Sequence, residues 1–374
     1  MRISLVTETF PPEINGVALT NYRLARSLAE RGHALEIVRP RQLDFTNKDH
    51  SFDNEFVVPS WPFPGYPGLR VGRFCRDRLQ SRWRQHPPEV IHIATEGPLG
   101  LAALLAARQL NIPVTSAFHT NFHAFCKPYR LAFLRSAVLS YLRWFHNRSA
   151  LTLVPTLDLL TTLRGCGFSR LGHLGRGVDR DLFNPARRSA ALRREWRCRN
   201  ETAAVLCVSR IAREKNFPLV FEAFQSASKL CENLRMVVVG DGPYLPELQK
   251  RFPWVHYAGM RFEKDLAAHY ASADLFFFAS TTETFGNVIL EAMASGLVVL
   301  TYDYAAGAQY IIHQKNGYLA PYDRPELFRN AAAELLRQRA AWPALATAAR
   351  LTTAEAPWQN VIDQFEQILV AQKS

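Results

Sequence analysis

Two carboxylates eight residues apart, Glu283 and Glu291, bracket the stretch "TTETFGNVILEAMASG", residues 281–296. The segment follows an apolar run, "DLFFFAS", and reads as a strand leading into a helix. Thr284 is of the type that caps, the helix is expected from about Phe285, and Gly296 stands where a C-terminal left-handed glycine belongs. Gly286 then falls in the first turn, where glycine costs about 1 kcal/mol relative to alanine. Its missing Cβ would let a ligand approach the amides of Phe285, Gly286, Asn287 and Val288, and a helix N-terminus beside a strand end favours an anion such as phosphate. Carboxylates repel phosphate, so Glu283 and Glu291 suit neutral donors instead, and sugar hydroxyls are such donors. Two solvated acids flanking an ordinary capped helix would carry the same residues.

A second constellation lies in "LCVSRIAREKNFPL". A strand ends in Arg210, and Lys215 follows five residues later on the loop before the next helix. Two cations at a strand's carboxyl edge can clamp a pyrophosphate, the guanidinium as a planar fork and the ammonium as a point charge. Exposed basic loops are also common for solvation alone, and Arg213 and Glu214 between them fit that description. His119 ends the strand "VTSAFHT", where a histidine is either a satisfied structural residue or a group at a cleft edge. "GDG" at 240–242 lacks the third glycine and βαβ spacing of a nicotinamide site, which is rejected.

Elements must bring these groups together. A chain of 374 residues suits two domains, with 48% hydrophobic and 21% charged residues and no uninterrupted apolar run long enough to span a bilayer. The opening "MRISLVTETFPP" breaks at Thr7, Glu8 and a proline pair, so it reads as a first buried strand rather than a leader. Six scattered cysteines without a C-x-x-C pair suggest neither a disulfide framework nor a zinc site and point to the cytoplasm. Apolar β-branched runs alternate with amphipathic stretches throughout, the pattern of parallel sheets covered by helices. Strands are expected near 3–6, 35–38, 90–93, 114–118 and 151–154, then 204–208, 236–239, 255–258, 275–278 and 298–301. Helices are expected near 17–31, 98–110 and 122–147, then 217–229, 243–251, 264–272, 285–295 and 323–339. "VPSWPFPGYPG" (58–68) reads as a loop, and a linker near Gly175–Pro185 separates domains 1–176 and 177–352. Both halves are then α/β and doubly wound. Such sheets bind ligands at the carboxyl ends of their strands, and two of these edges facing across a hinge make a cleft.

Taken together, these motifs resemble the retaining glycosyltransferases of family 4, whose GT-B architecture is two Rossmann-like domains facing across a cleft. The Glu pair is similar to that family's E-x7-E signature, and "SRIAREKN" to its diphosphate clamp. "VVVGDGPYLPELQ", "HYAGMRFEKDLAAHYASADLFFFAS" and "FHTNF" resemble further segments in the family's order. "PPEINGVALT", "VPSWPFPGYPGLRVG", "WFHNRSALTLVPT" and "HLGRGVDRDLFNP" narrow the likeness to bacterial GDP-mannose-dependent lipid mannosyltransferases and related sulfolipid and glycolipid synthases. The resemblance implies that Arg210 and Lys215 bind the donor diphosphate, helped by the amides of Phe285, Gly286 and Asn287, with Thr284, Val288 and Gly240 beside them. It implies that Glu283 holds the hexose, Glu291 the ribose, Met260 and Arg261 the base, Gly16 the diphosphate from the other domain, and His119 the anomeric region. It implies a C-terminal helix, 353–374, returning to the first domain. Asn15 departs from the pattern where a second glycine is usual, and "SGLVVLTYDYAAGAQY" lacks the usual proline and carries Gln309 where Glu is frequent.

Charge points to a partner. Residues 1–176 hold 22 Lys and Arg against 12 Asp and Glu, which places +10 of the net +12 in the first half. "LRVGRFCRDRLQSRWRQ" brings Arg70, Arg73, Arg76, Arg82 and Arg84 around Trp83, and Lys127 and Arg130 follow in a second basic and apolar stretch. Both suit a helix in an anionic membrane interface; a solvated helix face above an ordinary core is the alternative, and no nucleic-acid-binding motif appears. The expectation is a peripheral enzyme on the inner face of the cell membrane, monomeric or weakly associated. It moves a hexose, mannose from GDP-mannose first, onto a lipid by front-face attack. Without a D-x-D pair in a plausible loop, it needs no metal or other cofactor beyond the nucleotide-sugar co-substrate. The same chemistry with a UDP-sugar (glucose, glucuronate or sulfoquinovose) and diacylglycerol is the alternative. A sugar-nucleotide epimerase and a basic lipid- or nucleic-acid-binding protein with a degenerate cleft are the rivals.

Overall fold

The computed structural model describes residues 1–13, 15–42, 52–62, 70–119, 132–199, 201–228 and 233–373, with 132–135 as backbone. The chain divides into two units, Met1–Gly175 joined by Val361–Ser374, and Arg176–Asn360.

In the first unit, β1 (Arg2–Val6), β2 (Ala34–Pro40), β3 (Glu55–Val58), β6 (Val90–Ile93), β7 (Val114–Ala117), β8 (Leu151–Val154) and β9 (Leu171–His173) form a sheet ordered β3-β2-β1-β6-β7-β8-β9. Every pairing in it is parallel. β6 and β7 are buried along their length, as a parallel sheet covered on both faces requires. The polar residues they carry are satisfied across strands, His92 with Thr115 at 2.9 Å and Ser116 with Thr152 at 3.0 Å. The end of the chain docks on this unit. Phe365 packs edge-on to His92 with centroids 4.9 Å apart, Arg31 pairs with Asp363 and Glu366, and Lys373 Nζ lies 2.6 Å from Glu89.

β4 (Ser60–Pro62) and β5 (Arg70–Gly72) pair antiparallel as a separate ribbon. The proline-rich stretch expected as a loop therefore contributes a strand. Its prolines do not prevent this, because a two-stranded ribbon leaves an outward edge where a missing N–H costs nothing. The helix expected over 122–147 runs Ala132–His146, and 122–131 lie outside the described residues.

In the second unit, β10 (Ala203–Val208), β11 (Leu234–Val239), β12 (His256–Gly259), β13 (Leu275–Phe278), β14 (Val298–Tyr302) and β15 (Tyr318–Ala320) form a parallel sheet ordered β12-β11-β10-β13-β14-β15. The "LFFF" run of β13 is wholly buried, each phenylalanine contributing on the order of 2 kcal/mol. In both sheets the winding reverses beside the first strand, between β1 and β6 and between β10 and β13. At such a reversal the loops leaving the two strands part in opposite directions and open a crevice at their carboxyl ends.

Candidate active site

In the second unit, β10 and β13 deliver their loops to that crevice. Past β10, the Arg210 guanidinium meets Glu214 at 2.5 Å, with both side chains partly in solvent. A single 3-10 turn, Arg213–Lys215, closed by Asn216 at φ +55°, then turns Lys215 inward. Its Nζ reaches Glu283 Oε1, on the loop after β13, at 2.5 Å, and the two side chains are only 16% and 15% exposed. Screening is weak at that burial, so this contact between residues 68 apart in sequence is a strong constraint on both loops. Arg213 stays largely in solvent, its side chain 73% exposed, 4.5 Å over the Tyr244 ring and 2.5 Å from Glu247.

Gly240 and Gly242 support the Arg210 loop from beside. A Cβ on Gly240 would come 1.9 Å from the Ser209 carbonyl oxygen, and one on Gly242 would come 2.4 Å from that of Ile211. The turn after β11 thus lies directly against the backbone that carries Arg210, and Ile211 N donates to Asp241 O at 2.8 Å.

The Glu283 loop corrects one expectation. The helix begins at Asn287, not Phe285, and Thr284 does not cap it: Gly286 is the N-terminal boundary residue at φ +93°, with no side-chain cap. A Cβ there would make ordinary contacts only, the nearest atom being Ile289 Cδ1 at 3.5 Å. Glycine is required by the left-handed backbone rather than by a shortage of room. The amides of Asn287 and Val288 open the helix without intrahelical acceptors, on the segment that follows β13 at the same sheet edge. Gly296 closes the helix at φ +78° as expected, and a Cβ there would also strike Pro185 Cγ at 2.9 Å.

Tyrosines hold both acids. Tyr270 Oη donates to Glu291 Oε2 at 2.9 Å, and Tyr304 Oη accepts from the Glu283 amide at 2.9 Å. Burial, reinforced by the neighbouring carboxylate, pushes both phenols well above their usual range, so they remain neutral donors. Sequence reasoning missed both; for Tyr304 an aromatic just past a strand end, as in "TYDYAAG", was the available signal, whereas Tyr270 lies within the helix Glu263–Ser272. Phe285 is buried against Tyr310, while Thr284, Asn287 and Val288 are half-buried. At the end of β12, Gly259 turns at φ +75°, Met260 is exposed, and Arg261 pairs with Asp265 at 3.3 Å.

In the first unit, Gly16 opens the helix Gly16–Glu30. Asn15, the departure noted in sequence, caps that helix: its Oδ1 accepts from Val17 N at 3.1 Å and Ala18 N at 2.8 Å. His119 lies half-buried past the end of β7. Sequence reasoning also passed over Glu8, just past β1, whose carboxylate accepts from Gly72 N at 2.6 Å and Leu99 N at 2.8 Å. Burial raises it to about 7 despite those bonds, and burial together with the Glu8 charge raises Glu96 to about 7.

The basic surface divides. Trp83 is 1% exposed and its Nε1 donates to Glu36 at 2.9 Å, so it is core and not membrane-facing. Arg82 also binds Glu36 and lies 4.9 Å over Phe56, and Arg70 braces Ser60. Both are turned to the protein rather than outward. Arg73, 4.9 Å over the Trp61 ring, Arg76, paired with Asp77 at 3.0 Å, and Arg84 remain exposed, and Trp61 and Phe74 are 51% and 50% exposed. Lys127 and Arg130 lie outside the described residues. Among the described residues no helix is long and apolar enough to cross a membrane, and no cluster of three or more His, Cys, Asp or Glu could hold a metal ion.

Residues 14–182 match the family model described as Glycosyltransferase Family 4, and residues 202–338 the one described as Glycosyl transferases group 1. A GDP-mannose-dependent alpha-mannosyltransferase of Corynebacterium glutamicum is 35% identical over 299 residues, which span 79% of this chain and 71% of that one. The chain belongs to glycosyltransferase family 4. It is an enzyme of that class, and its two Rossmann-like units are the GT-B fold. Another family relative, the alpha-monoglucosyldiacylglycerol synthase of Streptococcus pneumoniae, is 30% identical over 81% of this chain and 71% of its own length. The crystal structure of HepE from Anabaena in complex with UDP and glucose shares the fold at a TM-score of 0.78, with 18% identity over 99% of this chain and 100% of that one.

Proposed function

We propose that this glycosyltransferase moves a hexosyl group from a nucleoside diphosphate sugar onto a membrane lipid with retention of configuration. The observation that carries the reading is the meeting of Lys215 with Glu283 at the strand reversal of the second unit, with Arg210 and the amides after Gly286 on the same edge. Cations and amides there are suited to the diphosphate, and Glu283 to hexose hydroxyls. Glu291 then takes the ribose, Met260 and Arg261 the base, and Gly240 and Thr284 the margins of the phosphate site. His119 and Gly16 serve from the first unit.

The acceptor hydroxyl oxygen bonds to the anomeric carbon as the bond from that carbon to the phosphate oxygen breaks. The hydroxyl proton passes to the departing phosphate oxygen, giving glycoside and nucleoside diphosphate. Negative charge grows on the leaving group, and Arg210, Lys215 and the helix amides stabilise it more in the transition state than in the ground state. These groups supply the neutralisation that a metal ion provides elsewhere.

Two donors are favoured by specific relatives. GDP-mannose is named for the Corynebacterium glutamicum enzyme, and a UDP-sugar fits the UDP and glucose bound by HepE, with a diacylglycerol acceptor as in the name of the streptococcal synthase. For the membrane, exposed Arg73, Arg76 and Arg84 with Trp61 and Phe74 offer cations and interfacial aromatics to anionic headgroups on the inner face of the cell membrane. The test is calorimetric binding of GDP-mannose and UDP-glucose, followed by incubation of each donor with a total lipid extract and mass spectrometry of the products. A glycosylated lipid and released nucleoside diphosphate are expected from one donor. Failure of both to bind at millimolar concentration would overturn the reading in favour of a binding protein, and donor conversion without acceptor would favour an epimerase.

A further inference from the structure

We propose that Tyr304 is a positioning residue for the reaction: its hydroxyl fixes the backbone of Glu283 so that the carboxylate is presented at a set distance from Lys215. The inference rests on the reading of Glu283 as the hexose-holding acid.

The loop that carries Glu283 has no regular structure between β13 and the helix Asn287–Ala294, yet four of its backbone positions are bound by a single neighbouring region. Tyr304 Oη donates to Ser280 O at 2.9 Å and accepts from Glu283 N at 2.9 Å. Tyr322 Oη donates to Thr281 O at 2.9 Å, and Ala306 N donates to Phe285 O at 2.9 Å. The two phenol rings pack edge to face with centroids 4.7 Å apart, and Tyr304 is 6% exposed. One buried hydroxyl thus serves as both donor and acceptor across the loop, and the amide it accepts from belongs to the acid itself. Raised far above its usual range, this phenol keeps its proton to donate at any working pH.

The backbone after Tyr304 is strained to allow this. Ala305 has φ +53°, a conformation that a residue with a Cβ rarely adopts, and it lies between Tyr304 and Ala306, both bonded to the Glu283 loop. Strain of this kind persists where its surroundings over-determine the geometry. The consequence is a Glu283 backbone fixed independently of its salt bridge, so that the carboxylate need not depend on Lys215 for its place when phosphate draws the ammonium.

The experiment uses the full chain and Tyr304→Phe, which keeps the ring and removes the oxygen. Turnover is expected to fall on the order of 10-fold or more, through misplacement of a substrate-holding group. Affinity for GDP and UDP is expected to stay at the wild-type value, while the extra affinity for the sugar-bearing donor is lost. In a Glu283→Gln background the same change should be silent to within about 2-fold, since the coupled partner is already gone. A general structural role would lower turnover equally in both backgrounds and weaken nucleoside diphosphate binding; that result, or wild-type turnover in Tyr304→Phe, overturns the proposal. If the wild type neither binds nor transfers any sugar nucleotide, the proposed function falls, and hydrogen exchange decides the positioning claim by itself. Faster exchange of the Glu283 amide in Tyr304→Phe, with the strands still protected, supports it; unchanged protection at that amide overturns it.

Discussion

The two units place opposite electrostatics on the same scaffold. Both sheets are parallel and reverse their winding beside the first strand, so both expose a pair of diverging loops at a carboxyl edge. In the second unit that edge carries Arg210 and Lys215, each compensated by a glutamate within its own unit. In the first it carries Glu8 and Glu96, and the Glu8 carboxylate is held by the amides of Gly72 and Leu99 rather than by a cation. The scaffold supplies the same kind of edge in both units, and the side chains decide its charge. The amide-held acid is raised by burial, whereas each cation of the second edge is held by a carboxylate.

The sharpest way to break this contrast is to remove the cations. Arg210→Ala or Lys215→Ala should lower turnover at least ~100-fold, measured as nucleoside diphosphate release with saturating donor and lipid. Wild-type turnover in both would leave the second edge without a function distinct from the first.

The acid edge is tested by pH. Glu8 is raised from 4.5 to about 7 in the fold, so the native state holds a proton that the unfolded chain has released. The stability this contributes is complete below about 4.5 and lost as pH rises through 7, on the order of 3 kcal/mol for this group. Urea unfolding followed between pH 5 and pH 8 should show stability falling with pH, and Glu8→Gln should flatten the slope. A slope unchanged in Glu8→Gln would mean the amides, not burial, set its protonation.

On the outer surface of the first unit, replacing Arg73, Arg76 and Arg84 with serine should weaken cosedimentation with phosphatidylserine vesicles by about 1 kcal/mol per residue. Trp83→Phe, a core change, should leave vesicle binding as it was. The smallest effect is expected from Gly286→Ala, which puts a Cβ on a left-handed residue without a steric clash and should cost about 1 to 2 kcal/mol in the stability of the second unit. A neutral result there would show that the turn before Asn287 relaxes easily.

Much of the architecture was legible in the chain. The alternation of β-branched runs with amphipathic stretches is a local property of each segment, and it recovers strands such as β10, β13 and β14 because their burial is written into their composition. The spacing of Arg210 and Lys215 on one loop, the eight-residue separation of Glu283 and Glu291, and the capping glycine Gly296 are equally local. Tertiary structure alone decided which face of the basic helix Arg76–Gln85 is inside. Periodicity placed Trp83 among arginines but could not foresee Glu36 waiting on β2 for its indole nitrogen. It alone decided that Gly286 is left-handed and that Lys215 meets Glu283. It also set Tyr304 and Tyr270 against the two acids. Each of these depends on groups distant in sequence, and the energy of a contact exists only once folding has brought both partners, and excluded water, at the same point.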